Sequence, residues 1–524
     1  MSIGAVDGAW RPRYSPWLIG FAATLAPFME VLDSTIINVS LPHIAGSLSV
    51  DFEDATWSLT SYLVANGIVL PVAGWLGRLF GRKRYFLTCI AMFTICSFLC
   101  GIATSLPQLV AFRFLQGLFG GGLQPNQQAV ILDNFEPSQR GRAFSMVAIS
   151  VIFAPILGPL LGGWLTDTYS WRLVFLINIP IGVFAFLAVL HLVDDPPWVV
   201  RDRARARDID YVGIGLIALG LGCLQIMLDR GEDWDWFGSP LIRLFALLAA
   251  MGIAGAAAWL LLTDKPVVNL RVLGDRNFGV GVVTVSCIGA ILYSSNLLIP
   301  AFAQQWMGYT ALQAGELISP GAVVMIFLIP FVARVALPNV QTRYLLAFGF
   351  FVLGCAALYA HRLTPNLDFR TMATWRAFQT VGLAFLFVPN STISYSSLPR
   401  SLNADAAALY AMFRNISGSV GISAAAAITA QRLQVHRAEL AGHLTPFDQN
   451  YVAMLDHAVR VLHDAGQTAA QAQHAAMGLI GTMLTQQAAV LAYVDAFAFS
   501  AIGAFCAIPL TLLFRGGIVG ARGR

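Results

Sequence analysis

The chain has 524 residues, 57% hydrophobic and 11% charged, with a formal net charge of +4 and a mean hydropathy of +0.69. A soluble domain carries about 25% charged residues, so this sequence lacks the charge to clothe a water-facing surface, and a soluble multidomain enzyme is excluded. A spanning helix needs roughly 20 apolar residues and the apolar content suffices for about fourteen, which makes the chain an all-α polytopic membrane protein.

Residues 1–14 are polar and lead into an apolar run too long for a signal-peptide core, so the first span is read as uncleaved. Apolar runs between charged or Pro/Gly-marked breaks then give spans at 17–41, 55–77, 85–105, 109–132, 143–165, 172–192, 211–228, 240–262, 278–304, 314–336, 344–362, 371–396, 403–430 and 487–514. Most contain Gly or Pro, which helices in lipid tolerate because neighbouring helices satisfy the freed backbone groups. With the N-terminus in the cytoplasm, the inner segments hold 21 Lys and Arg and the outer ones eight. That imbalance satisfies the positive-inside rule and puts both termini in the cytoplasm. The seven cysteines lie in apolar runs without a CxxC pair and read as small buried hydrophobes. No metal-ligand spacing, catalytic constellation or phosphate-binding loop appears, and no basic stripe interleaved with aromatics would hold a nucleic acid.

Two connections stand out. Segment 193–210 is a charged linker on the cytoplasmic side. Segment 431–486 is a long polar loop on the outer side, where 451–464 spaces apolar residues (Val452, Leu455, Val459, Leu462) at helical intervals. That helix either docks a partner or covers the outer rim. An internal repeat is also present. The fourth span carries Arg113-Phe-Leu-Gln116 and then Pro125-Asn126; the twelfth carries Arg376-Ala-Phe-Gln379 and then Pro389-Asn390. Each is followed by a span with closely spaced glycines (Gly158, Gly162, Gly163; Gly418, Gly421). Parallel repeats of this kind mark a two-halved transporter: residues 1–192 and 263–524 as six-helix halves, 193–210 as the linker, and 211–262 as two inserted spans.

Charge within a span is costly and points to function. Glu30 and Asp33 share one helix face. Asp33 lies roughly 9 Å inside the outer end of its span at 1.5 Å per residue, and Arg113 enters the fourth span to a similar depth. The two are expected to pair across a central cavity. A carboxylate that exchanges its proton for a substrate is the minimal antiport device; the competing reading is a static structural pair. Arg414 and Asp495 are the remaining in-span charges expected to partner each other, in a structural or a transport role. The polar residues Asn38, Gln116, Asn126, Arg376, Gln379 and Asn390 either touch substrate or tie helices together. Gly158-Pro159 and Gly162-Gly163 allow close helix approach, either as a rocking contact between the halves or as packing.

At these motifs the chain resembles the 14-span drug:proton antiporters of the major facilitator superfamily, within them the Gram-negative multidrug-efflux pumps, over essentially its whole length. Leu32-Asp33-Ser34-Thr35-Ile36-Ile37-Asn38-Val39 with Leu41-Pro42 matches the first-span motif, and Arg113-Phe-Leu-Gln116-Gly117 the fourth. Ala154-Pro155-Ile-Leu-Gly158-Pro159-Leu-Leu-Gly162-Gly163 matches the antiporter motif, and Trp171 through Asn178 and Pro180, with Leu228-Asp229-Arg230-Gly231, match further signatures. The resemblance implies the major-facilitator fold with 14 transmembrane helices. It also implies proton-driven export of hydrophobic or amphipathic small molecules by alternating access, and a multi-pass place in the bilayer of the bacterial inner membrane. Asp33, Glu30 and Arg113 become the proton-coupling residues; no cofactor is needed beyond the proton gradient. Such pumps work with a periplasmic HlyD-type adaptor and an outer-membrane channel, which gives 431–486 a partner to meet. The rival readings are a carrier of a narrow metabolite such as a fatty acid, or a membrane sensor without flux. One departure is notable: the loop after the second span has Arg78 where the superfamily usually has aspartate, so the lock that this aspartate makes is in doubt.

Overall fold

The computed structural model describes residues 12–136, 139–196, 209–362, 364 and 367–515. Most of the expected linker (197–208 of 193–210) and both extreme termini lie outside the described residues. Within them the secondary structure is helical, with no strand. In chain order the main helices are α1 (Pro16–Leu48), α2 (Trp57–Phe80), α3 (Arg82–Ile102), α4 (Leu106–Gly120) and α5 (Leu123–Asn134). There follow α6 (Arg140–Thr168), α7 (Asn178–Leu192), α8 (Tyr211–Arg230), α9 (Pro240–Leu262), α10 (Arg276–Trp306) and α11 (Ala311–Phe331). The chain ends through α12 (Thr342–Leu358), α13 (Phe369–Ser394), α14 (Asn403–Ala441), α15 (Gln449–Asp464) and α16 (Ala469–Thr511).

Each predicted span coincides with helix, and among the described residues 11 helices are long and apolar enough to cross a membrane. The remaining three positions differ for physical reasons. The fourth is broken into α4 and α5 at Gly121–Gly122. A Cβ on Gly122 would come within 2.6 Å of Cys89 Sγ, and one on Gly117 within 2.3 Å of the Tyr62 carbonyl oxygen; bare glycines let this segment press onto α2 and α3. Helices α13 and α14 are long enough, but Arg376, Gln379, Asn390, Arg414 and Asn415 dilute their apolar character.

The repeat seen in the sequence is repeated in packing. Helix α1 lies along α6, and α10 lies along α14 in the same way. Helices α8 and α9 form a hairpin beside α2. At the end of the bundle expected to be cytoplasmic, one apolar cluster joins the two halves, with Trp75, Ile131 and Phe144 from the first and Tyr395, Leu409 and Tyr410 from the second. Phe144 stacks on Tyr395 with ring centroids 5.8 Å apart, and the Tyr395 hydroxyl donates to Gln128 Oε1 at 3.0 Å.

The segment 431–486 is corrected. It is not a loop: α14 runs 39 residues and α16 runs 43, about 58 and 64 Å at 1.5 Å per residue against a hydrocarbon core of about 30 Å. Alanine- and glutamine-rich sequence leaves the apolar layer without leaving the helix, because both are good helix formers. The expected amphipathic helix is present as α15, and it packs on α16. Leu455, Val459 and Leu462 are half-buried and Val452 is exposed, so the apolar stripe is largely covered by the chain's own hairpin.

Candidate functional site

The first-half polar site is built on α1. Asp33 and Arg113 both have fully buried side chains and form an ion pair, Arg113 Nη1 donating to Asp33 Oδ2 at 2.5 Å. The other carboxylate oxygen accepts from Asn178 Nδ2 at 2.6 Å and from Gln116 Nε2 at 3.1 Å. Arg113 is fixed in turn: Nη1 also donates to Gln116 Oε1 at 2.8 Å, Nε donates to the Ser58 carbonyl at 3.1 Å, and the guanidinium lies 4.3 Å from the Tyr62 ring centroid. The predicted pair therefore forms, with one correction. The two residues do not face each other across a central cavity; they meet inside the first half, closed in by α2, α3 and α7. A charge that leaves water is tolerated only with this density of donors and counter-charge.

Glu30 shares the α1 face but keeps its own partner. Its Oε1 accepts from Asn66 Nδ2 at 2.9 Å, and its Oε2 has no hydrogen-bond partner among the described residues. Nearby, Arg414 of the second half donates to Gln124 of the first, so Glu30 lies toward the contact between halves. The expected Arg414–Asp495 pair is overturned. Asp495 accepts from His436 Nε2 at 2.9 Å and lies 3.4 Å from Arg432 Nε, and its side chain is about a third exposed. Arg432 and His436 reach Asp495 because α14 continues past its expected end.

The antiporter-motif glycines also take a definite side. A Cβ on Gly158 would fall 2.3 Å from Thr35 Oγ1, and one on Gly162 2.8 Å from the Ile36 carbonyl oxygen. They bring α6 onto α1 at the two residues that follow Asp33-Ser34, within one half. Gly163 lies more loosely against Val39, and α6 stays helical through Pro155 and Pro159. The contact between halves is made instead by Pro159 and Leu160, against which Gly315 of α11 packs.

The amides divide. Gln116 belongs to the Asp33 site. Asn126 turns back on the Gly122 carbonyl at 2.6 Å, while Asn390 ties α10 and α14 to α13 through Thr284, the Gly281 carbonyl and Tyr410. Asn38 is exposed. Arg376 and Gln379 bond to each other and to Asn296 and Ser295. Sequence reasoning missed Asn178, Tyr62 and Asn66. Asn178 stood inside a quoted signature, an amide in an otherwise apolar span, and that was its available signal.

At the end expected to be cytoplasmic, Arg78 forms an ion pair with Asp405 of the second half. The doubt raised by Arg78 resolves into a reversal: the cation sits on the loop motif and the acid in the first turn of α14. Beside it Arg82 pairs with Asp133, which also accepts from Asn403 Nδ2 at 3.1 Å, and Gly74 packs against the Ala404 backbone.

This arrangement has named counterparts. Residues 23–422 match the family model described as Major Facilitator Superfamily. The chain is 36% identical over 92% of its length, and 92% of the other protein, to the multidrug export protein EmrB of Escherichia coli strain K12. It is 34% identical over 82% of its length, and 84% of the other's, to the probable multidrug resistance protein EmrY of the same strain. A solved bacterial homologue of the human lysosomal transporter Spinster, inward-facing and unoccupied, overlays with a TM-score of 0.52 at 18% identity, covering 96% of this chain and 98% of that one; it speaks for the fold alone. A two-halved helical architecture, the paired motifs and these matches agree, and the chain belongs to the major facilitator superfamily.

Proposed function

We propose that the chain is a proton-driven exporter of hydrophobic or amphipathic small molecules in the bacterial inner membrane. It crosses fourteen times with both termini in the cytoplasm, and needs no cofactor other than the proton gradient. The observation that carries this reading is Asp33: a fully buried carboxylate held by Arg113, Gln116 and Asn178, two and three residues before Thr35 and Ile36, where Gly158 and Gly162 let α6 pack on α1. Protonation of Asp33 breaks the charge balance with Arg113 and frees a donor-rich pocket, and that is a local event able to bias a two-state packing of helices. Glu30 lies between this pair and the contact of the halves, so it is placed to relay either a proton or a cationic substrate group.

The inner-end contacts supply the gate for alternating access. Arg78–Asp405, Asn403–Asp133 and the aromatic cluster around Tyr395 hold the halves together on the side read as cytoplasmic, which corresponds to a state closed to the cytoplasm. The names borne by EmrB and EmrY, multidrug export and probable multidrug resistance, support drugs as cargo, and the protruding α14–α15–α16 hairpin is the surface offered to a periplasmic adaptor and outer-membrane channel. The test is flux in proteoliposomes of the full chain with and without an imposed pH gradient. Uptake of a lipophilic dye that rises with the gradient supports antiport; flux indifferent to the gradient makes the chain a facilitator, and none makes it a sensor.

A further inference from the structure

The Asp33 site has a second copy at a constant offset of 263 residues: Asp33 corresponds to Asn296, Ser58 to Gly321, Arg113 to Arg376 and Gln116 to Gln379. The arginine's contacts to both partners are copied too, while the glutamine's amide nitrogen, which reaches Asp33 in the first half, reaches the residue before Asn296 in the second. Arg376 Nη2 donates to Asn296 Oδ1 at 2.6 Å, its Nη1 donates to Gln379 Oε1, and Gln379 Nε2 donates to Ser295 Oγ at 2.9 Å. What is missing is the charge. Among the described residues no carboxylate pairs with Arg376, although it is 5% exposed, and its Nε has no hydrogen-bond partner, whereas Arg113 Nε has the Ser58 carbonyl. The second copy is also the more open one, since Asn296 is partly exposed where Asp33 is buried.

We propose that Arg376, Asn296 and Gln379 form a subsite for the anionic group, carboxylate or sulfonate, of a transported amphiphile. A buried guanidinium without a counter-charge is poorly compensated, and an incoming anion supplies the charge that Asn296 lacks. The planar guanidinium fork offers it two parallel donors, and Asn296, whose Oδ1 is occupied as an acceptor, still has Nδ2 to donate. The proposal rests on the export reading above and narrows it, by giving the first half the proton and the second half the negative end of the cargo.

The test is gradient-driven flux in proteoliposomes of the full chain, with an arylsulfonate dye and tetraphenylphosphonium as the anionic and cationic probes. Asn296→Asp changes the side chain's charge at nearly constant size and neutralises Arg376 from within; Arg376→Gln removes the cation. Both variants are expected to lower arylsulfonate flux at least about tenfold, the loss of one charge-assisted contact, while tetraphenylphosphonium flux stays within about twofold and certifies the fold. Equal loss of both probes makes the network purely structural and overturns the proposal, as does unchanged arylsulfonate flux. A wild-type chain that moves the cation but not the sulfonate overturns the subsite while leaving the export reading intact. A chain that moves neither overturns both.

Discussion

The two half-sites differ most in charge: where the first has the Asp33 carboxylate the second has the Asn296 amide. In the first half a guanidinium, two amides and a carboxylate interlock with both charged side chains fully buried; in the second the Arg376 guanidinium bridges Asn296 and Gln379, and Gln379 donates onward to Ser295. Asparagine has the shape of a protonated aspartic acid, so the Arg376–Asn296 contact is an uncharged-partner counterpart of the Arg113–Asp33 pair. The architecture therefore does not need the negative charge, and the charge at Asp33 is free to serve coupling. Within either half, the residues are held by helices packed in one bundle. The ion pair Arg78–Asp405 differs again, because it straddles the two bodies.

The largest effect is expected at the first copy. Asp33→Asn puts into the first half the amide that the second carries at Asn296, where it accepts from Arg376. The variant should insert and purify normally and lose gradient-driven flux down to the level of empty vesicles, while exchange without a gradient persists. Undiminished gradient-driven extrusion would remove Asp33 from the coupling mechanism. Arg113→Lys is the next step down. Lysine keeps a charge but loses the planar fork, so the contacts to Asp33, Gln116 and Ser58 are no longer made together. Flux should fall by about tenfold to a hundredfold, the scale of a misplaced catalytic contact, with substrate affinity measured by dye fluorescence much less affected. Full flux in this variant would reduce Arg113 to a point charge.

How much of this was readable from residues alone follows from the same contrast. Asp33 and Arg113 announced themselves because charge is rare in an apolar span, and the repeat of Arg-x-x-Gln exposed Gln116, Arg376 and Gln379. Asn296 stayed hidden, since an amide in a span is common and its significance lies in which residue stands at the equivalent place. Asp405 lies at the inner edge of a span, where charge is ordinary, and only folding brings it to Arg78. The Arg414–Asp495 expectation failed because hydropathy marks where the membrane ends, whereas α14 ends at Ala441. The long hairpin was legible as polar and as partly helical, but its continuity with the spans was not.

The gate pair offers a smaller and reversible effect. Arg78 and Asp405 are partly and largely buried, and a charged hydrogen bond of this kind contributes about 1.5–3 kcal/mol. Arg78→Asp sets two acids against each other and should shift the gate toward the cytoplasm-open state. The shift is read as about tenfold faster labelling of a cysteine placed at Ala404, between the halves. The swap Arg78→Asp with Asp405→Arg should recover most of the protection, in part only, because Gly74 leaves little room beside residue 405. Unchanged labelling in the single variant would make the pair incidental, unlike the buried pair at Asp33.

The smallest effect on transport itself is expected furthest from both half-sites. Helix α15 packs on α16 and carries the half-buried Leu455, Val459 and Leu462, each worth about 1 kcal/mol at half burial. Their loss trims the hairpin without reaching the cores of either half. Replacing residues 442–468 by a Gly/Ser linker should leave flux in proteoliposomes within about twofold of wild type, because no contact of Asp33, Arg376 or Arg78 is altered. In cells the same variant should lower drug resistance, since the protruding surface proposed to meet an adaptor is gone. Lost flux in proteoliposomes would make the hairpin part of the moving machinery, and it would then act through the Arg432–Asp495–His436 cluster that ties α14 to α16. Resistance unchanged in cells, with flux also unchanged, would leave α15 as a cover for the apolar face of α16, its burial accounted for by packing alone.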